Sequence, residues 1–287
     1  MRKSVFDGQY YNSDFSELDS QISDLFFSDM GPGDLPITRS ETRSYGVIVP
    51  HSKYSLSGSC ASWAYKKLAE GSFPDVYVII GTNHSGYGNF VSTEGWETPF
   101  GRVNVDEGLS KLLLAQLPFL HEGNIAHKRE HSLEVQLPFL QFISKDRLRD
   151  LKILPIMLGS ENSYEKLRDL GRAIGDSERN VCVIAVSNFT QYGSNYDYTP
   201  SVLDNGTEVK MFDKKAISFI TNLDSKGFFE CVKDNKMNFS GVGPIVCAIE
   251  AAKLLGSKQS NLLRYYTSKE INGIQDNFIG YGAISFE

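Results

Sequence analysis

Apolar and polar positions along this chain change period several times. Leu18, Ile22, Leu25 and Phe26 recur at helical spacing, which predicts a helix over 15–27. Met30-Gly31-Pro32-Gly33-Asp34-Leu35-Pro36 follows as a loop. Thirty residues before that loop are too few for a domain, so 1–36 reads as an arm packed on the main body. Short apolar runs then alternate with amphipathic stretches. The runs at 45–49, 76–80, 151–158, 181–186, 262–267 and 278–286 read as strands. Those at 76–80 and 181–186 are β-branched with no polar interruption, as in strands covered on both faces. Helical spacing predicts helices over 59–70, 106–117, 164–174, 208–221, 225–232 and 244–255. Asp106 is the expected N-cap of the second of these, and Gly71 the expected stop of the first. A further helix over 132–144 carries Pro138 as a kink or break. Strand–helix alternation of this kind predicts an α/β protein, one domain over 1–287, with a central, mostly buried sheet and helices on both faces.

Three predicted strands end alike. One runs into Pro50-His51, one into Gly81-Thr82-Asn83-His84, and one into Ser187-Asn188. Ligands of open α/β sheets bind beyond the carboxyl ends of strands, so two imidazoles and an amide are expected at one edge. Neutral imidazole ligates zinc, copper and iron. The same residues would equally cap strands or bond loop carbonyls, because polar residues after strands are common. His131 and Glu134 stand three apart, on one face if helical; such a pair is a ligand set, a general base, or a satisfied buried pair. His121 and His127 lie in a polar stretch and are expected in surface or loop roles. Asn238-Phe239-Ser240-Gly241-Val242-Gly243-Pro244 suits a helix start whose free N–H groups face either a polar substrate or an ordinary tight turn.

Composition narrows the classes. The chain has 287 residues, 29 basic against 35 acidic side chains, and a net charge of −6. That balance does not suit a dedicated nucleic-acid binder. An aromatic share of 12% excludes disorder over most of the length. No stretch has the roughly 18 uncharged apolar residues of a membrane span, and no apolar run follows the basic start, so neither a membrane partner nor a secretory leader is expected. Four scattered cysteines without a CxxC suit reduced thiols in a cytoplasmic protein. No nucleophile elbow, phosphate loop or dinucleotide fingerprint is present.

The motifs resemble those of the Memo family across nearly the whole chain. Arg2…Phe6-Asp7-Gly8-Gln9-Tyr10-Tyr11 is similar to that family's Arg…Ala-Gly-x-Trp-Tyr opening. Pro50-His51-Ser52-Lys53-Tyr54…Ser57-Gly58 resembles Pro-His-Ala-Gly-Tyr…Ser-Gly, and Gly81-Thr82-Asn83-His84 resembles Gly-Pro-Asn-His. Glu97-Thr98-Pro99-Phe100-Gly101 is similar to its Thr-Pro-Leu-Gly segment. Residues 130–140, Glu-His-Ser-Leu-Glu-Val-Gln-Leu-Pro-Phe-Leu, match its longest motif almost letter for letter. The resemblance implies a fold similar to class III extradiol dioxygenases, non-haem iron enzymes with two histidines and a carboxylate. It implies that His51 and His84 sit in a pocket able to bind iron or copper, with His131 and Glu134 nearby as candidate catalytic groups and Tyr54 in the wall. Where the family carries aspartate, histidine and cysteine, this chain has Asn188, Gln191 and Ser240. These keep hydrogen-bonding shape but lose an anion, an imidazole and a thiolate, so iron or copper is expected to bind weakly or not at all. The first expectation is a pocket that binds a small molecule, peptide or partner without turnover. The second is a metal-dependent oxidoreductase with His51 and His84 as ligands. A third is a hydrolase with His131 as base.

Overall fold

A computed structural model describes residues 1–200 and 207–287. Four parallel strands form its centre, in the order Gly46–Val49, Val181–Val186, Val76–Thr82, Lys152–Leu158. Phe278–Phe286 runs antiparallel beside the first of them, and Ser260–Thr267 antiparallel beside that. On the far side, Asn89–Val91 pairs antiparallel with Lys152–Leu158, and Leu120–Glu122 closes the edge. Every residue of Gly46–Val49 and Val181–Val186 is buried, as their uninterrupted apolar runs require.

Alternation along the strands divides the core into two layers. Ile48, Val78, Ile80, Ile156 and Val183 pack with helices Tyr164–Gly175, Thr207–Thr221, Ser225–Asp234 and Val242–Leu255. Val47, Val49, Ile79, Ile153 and Ile184 pack with Phe15–Phe27, Ser59–Glu70 and Leu137–Ile143 on the other face. The sheet is thus mixed, with helices on both faces. Helix Phe15–Phe27 docks through Leu18, Ile22 and Phe26, the residues that set its sequence period.

The expected helix over 132–144 is two helices, His131–Glu134 and Leu137–Ile143. Pro138 does not kink a continuous helix; it sits in the first turn of the second, where its missing N–H costs nothing. Three strands of three residues each (Asn89–Val91, Trp96–Thr98 and Leu120–Glu122) and the five-residue Gly101–Val105 were not expected. Among the described residues, no helix is long and apolar enough to cross a membrane.

Candidate metal centre

The carboxyl edge of the central strands carries the polar residues. His51 follows strand Gly46–Val49, His84 follows Val76–Thr82, and Asn188 follows Val181–Val186. His131 opens its four-residue helix directly above. That helix comes close because position 81 is glycine: a Cβ there would stand 2.8 Å from Ser132 Oγ and Leu133 Cδ2. The imidazoles of His51, His84 and His131 form a near-equilateral triangle, with ring centroids 5.1, 5.2 and 4.9 Å apart. One nitrogen of each lies within 4.8 Å of the others. His51 is buried, His131 partly so, and His84 is exposed.

The outward nitrogens have partners that fix which inward ones are free. His84 Nδ1 lies 3.0 Å from Glu130 Oε1, and His131 Nδ1 lies 3.5 Å from the same oxygen. The hydrogen bond from His84 Nδ1 to this carboxylate leaves His84 Nε2 its lone pair, while His131 Nδ1 is drawn to the same oxygen by charge without a hydrogen bond. His51 Nε2 lies 2.9 Å from Ser240 Oγ, which leaves His51 Nδ1 3.2 Å from His131 Nε2. The Ser240 hydroxyl donates to the Asn188 carbonyl at 3.3 Å, so its oxygen is left to accept from His51 Nε2–H. It is itself held by the Asn188 amide N–H at 2.8 Å, while Thr82 Oγ1 donates to the Ser240 carbonyl.

Glu130 is the carboxylate of the site. It is buried, and it caps the His131 helix by accepting from Ser132 N at 2.8 Å while also accepting from His84 N at 3.1 Å. Burial opposes its ionisation, but the His84 ring, the Ser132 amide and the neighbouring His131 hold its carboxyl down at about 2. Burial, then the neighbouring His84 and His131, lowers the His51 pKa well below the usual imidazole range. Burial likewise brings His131 to about 4, against the pull of Glu130. Both rings are therefore neutral near pH 7, the form that ligates metal.

The other expected site residues fall elsewhere. Asn188 ties strand ends together: its Oδ1 accepts from His51 N at 3.0 Å and its Nδ2 donates to Ser52 Oγ at 3.1 Å. Gln191 begins a two-residue strand paired with Phe278–Ile279, and its N–H donates to the Asn238 carbonyl. Tyr54 is buried behind the site, where its hydroxyl donates to the Val135 carbonyl at 2.7 Å. Glu134 is fully buried, but its bonds run to the N-terminal arm: the Arg2 guanidinium, the Val5 and Phe6 amides, and the Tyr11 hydroxyl. Of the readings open to Glu134, its bonds are those of a satisfied buried carboxylate, and Glu130, one residue before His131, is the one that faces the histidines. His121 is exposed as expected. His127 is not in a surface role; it is buried, with Nδ1 2.9 Å from the Gly123 carbonyl and Trp96 edge-on to its ring.

Comparison with known proteins agrees with this architecture. The family profile described as Memo-like protein matches residues 2–285. A MEMO1 family protein of Methanopyrus kandleri is 35% identical over 293 aligned positions, covering 99% of this chain and 98% of the relative. One of Pyrococcus furiosus is 36% identical, with 99% and 98% covered. Among solved structures, the uncharacterized protein JW3007 of Escherichia coli matches with a TM-score of 0.55 at 13% identity, over 85% of this chain and 100% of that one. That likeness concerns the fold alone.

Proposed function

The chain belongs to the Memo family, and from its three converging imidazoles we propose that it holds one transition-metal ion on His51, His84 and His131. A small molecule or peptide then binds in the opening beside it. The single observation that carries this reading is the direction of the six ring nitrogens. Three meet Glu130 or Ser240, and three converge within 4.8 Å. Two nitrogens on one tetrahedral ion stand ~3.3 Å apart, and His51 Nδ1 and His131 Nε2 are 3.2 Å apart.

The donor set is wider than His51 and His84 alone. His131 adds a third neutral ligand, and Glu130 supplies, one bond further out, the negative charge that Asn188 does not. Iron or copper fits such a set, since imidazole suits both. A bound ion of either kind would supply Lewis acidity and a redox couple. The residues themselves do four things: Glu130 hydrogen-bonds His84 and attracts His131 by charge, Ser240 holds His51, Asn188 anchors the His51 backbone, and Thr82 steadies Ser240. Oxidoreductase chemistry, supported by the resemblance to extradiol dioxygenases, remains the second reading. His131 as a hydrolytic base has less support, because a group at about 4 is a poor base near neutrality.

The test uses untagged protein. It is incubated anaerobically with ferrous or cuprous ion, desalted, and assayed for metal beside His51→Ala, His84→Ala and His131→Ala. We expect about one ion per chain and its loss in all three variants. Absent or histidine-independent binding returns the pocket to metal-free ligand binding.

A further inference from the structure

We propose that the N-terminal segment 2–11 is a positioning strap for the histidine site, anchored by Glu134 and pressing its aromatic rings on His131. This inference rests on the metal-site reading for its meaning, but its geometry is independent of any ion.

The strap is fastened along its length. Arg2 is buried, its side chain packed over the Trp96 ring at 4.1 Å. Its Nε donates to the His127 carbonyl at 2.8 Å and its Nη2 to the Glu130 carbonyl at 3.1 Å, while Nη1 meets Glu134. Arg2 also exchanges backbone bonds with the Trp96 strand, donating to Gly95 O and accepting from Glu97 N, each at 2.8 Å. Glu134 then reads the next stretch of the segment, accepting from Val5 N, Phe6 N at 2.8 Å and the Tyr11 hydroxyl at 2.8 Å. Four donors meet on one fully buried carboxylate: Arg2 Nη1, the Val5 and Phe6 amides and the Tyr11 hydroxyl.

What the fastening holds in place is aromatic. The Tyr10 ring lies 4.8 Å from the His131 ring at a tilt of 36°, and Phe6 meets the same imidazole edge-on at 5.7 Å. Tyr10 is tied on its other side, its carbonyl accepting from Tyr54 N at 2.9 Å. His131 has Glu130, His51 and His84 around it, and the rings of the strap pack against it as well. One four-residue helix is therefore gripped twice, at Glu134 by the backbone of the strap and at His131 by its rings. An imidazole fixed in rotation keeps its lone pair on target; loss of hydrogen-bonded outer partners weakens metal binding about 10–100-fold, and rings packed on His131 restrict the same rotation. Tyr10 and Phe6 are thus positioning residues, and Arg2 acts through Glu134.

The experiment compares Tyr10→Ala with Tyr10→Phe, and Arg2→Met with the double variant Arg2→Met/Glu134→Gln, which leaves no buried charge unpaired if the single variant fails to fold. Ferrous-ion affinity is measured by chelator competition, and the metal-free proteins are examined by long-range 1H–15N imidazole NMR. We expect Tyr10→Ala to weaken the metal about tenfold or more, Tyr10→Phe to stay within about twofold, and the His131 ring resonances to move in Tyr10→Ala and the Arg2 variants only. Wild-type affinity and unshifted His131 resonances in Tyr10→Ala would overturn the strap. If wild-type protein binds no ion, the metal reading fails, and the NMR comparison in metal-free protein still decides the strap.

Discussion

Glu130 occupies the position on which the site's chemistry turns, and it shows how far single residues could be read. Its neighbours His84 and His131 were recognisable from strand ends and from the Glu-His-Ser-Leu-Glu motif, as was the place of His51 at a strand end. Which of the two glutamates would face them was not, because Glu134 is claimed by Arg2, more than a hundred positions away. Only the folded chain brings that competitor in. Glu130→Gln keeps the shape but removes the charge that orients both rings. It should raise the metal Kd about 10–100-fold, as read by chelator competition, and lower Tm as well, because the new NH2 faces a donor that a Glu130 oxygen now accepts; unchanged affinity would count against its role. Gly81 has a different residue-scale role. A methyl group there meets Ser132 Oγ and Leu133 Cδ2 at 2.8 Å. Gly81→Ala should therefore cost ~1–3 kcal/mol in urea denaturation and weaken metal binding as well, since it pushes the His131 helix away. A stability equal to wild type would show that the helix yields freely.

Elements were legible where their period was long and their ends chemically marked. The helix Glu107–Gln116 begins as Asp106 implied, with Asp106 Oδ1 accepting from Leu109 N at 2.8 Å. Asp106→Ala should destabilise the fold by about 1 kcal/mol or somewhat more, because Arg179 and Lys152 also pair with this carboxylate. Chemical denaturation measures it, and a neutral result would mean that water caps the helix as well. Elements of three residues left no period to detect. The pairing of Trp96–Thr98 with Gly101–Val105 follows from the turn between them and from Arg2 bridging to Trp96, a contact local patterning cannot reveal. The break between Glu134 and Leu137 was half visible in Pro138, but its placement depends on the helix turning so that His131 faces the sheet edge.

Across the whole molecule, the order of strands sets the site, bringing the ends of Gly46–Val49, Val181–Val186 and Val76–Thr82 side by side. Alternation implied helices on both faces, but the antiparallel edge strands came only with the fold. Stability should report on buried imidazole. Burial of His127 depresses its pKa from 6.5 to about 4, so the folded state holds it neutral while the unfolded chain protonates first. Its contribution is complete above about pH 6.5 and falls away as pH drops towards 4, by up to ~3 kcal/mol. His127→Gln should flatten that part of the stability–pH curve in denaturant titrations; an unaltered slope would assign the acid sensitivity to other groups. The central claim, that three histidines converge to hold one ion, is tested most directly by anomalous diffraction at the metal edge from crystals of protein loaded with ferrous or cuprous ion. The account predicts one peak bonded to His51, His84 and His131, with Glu130 beyond the two outer rings. No peak there, or a peak whose ligands omit His131, would contradict it.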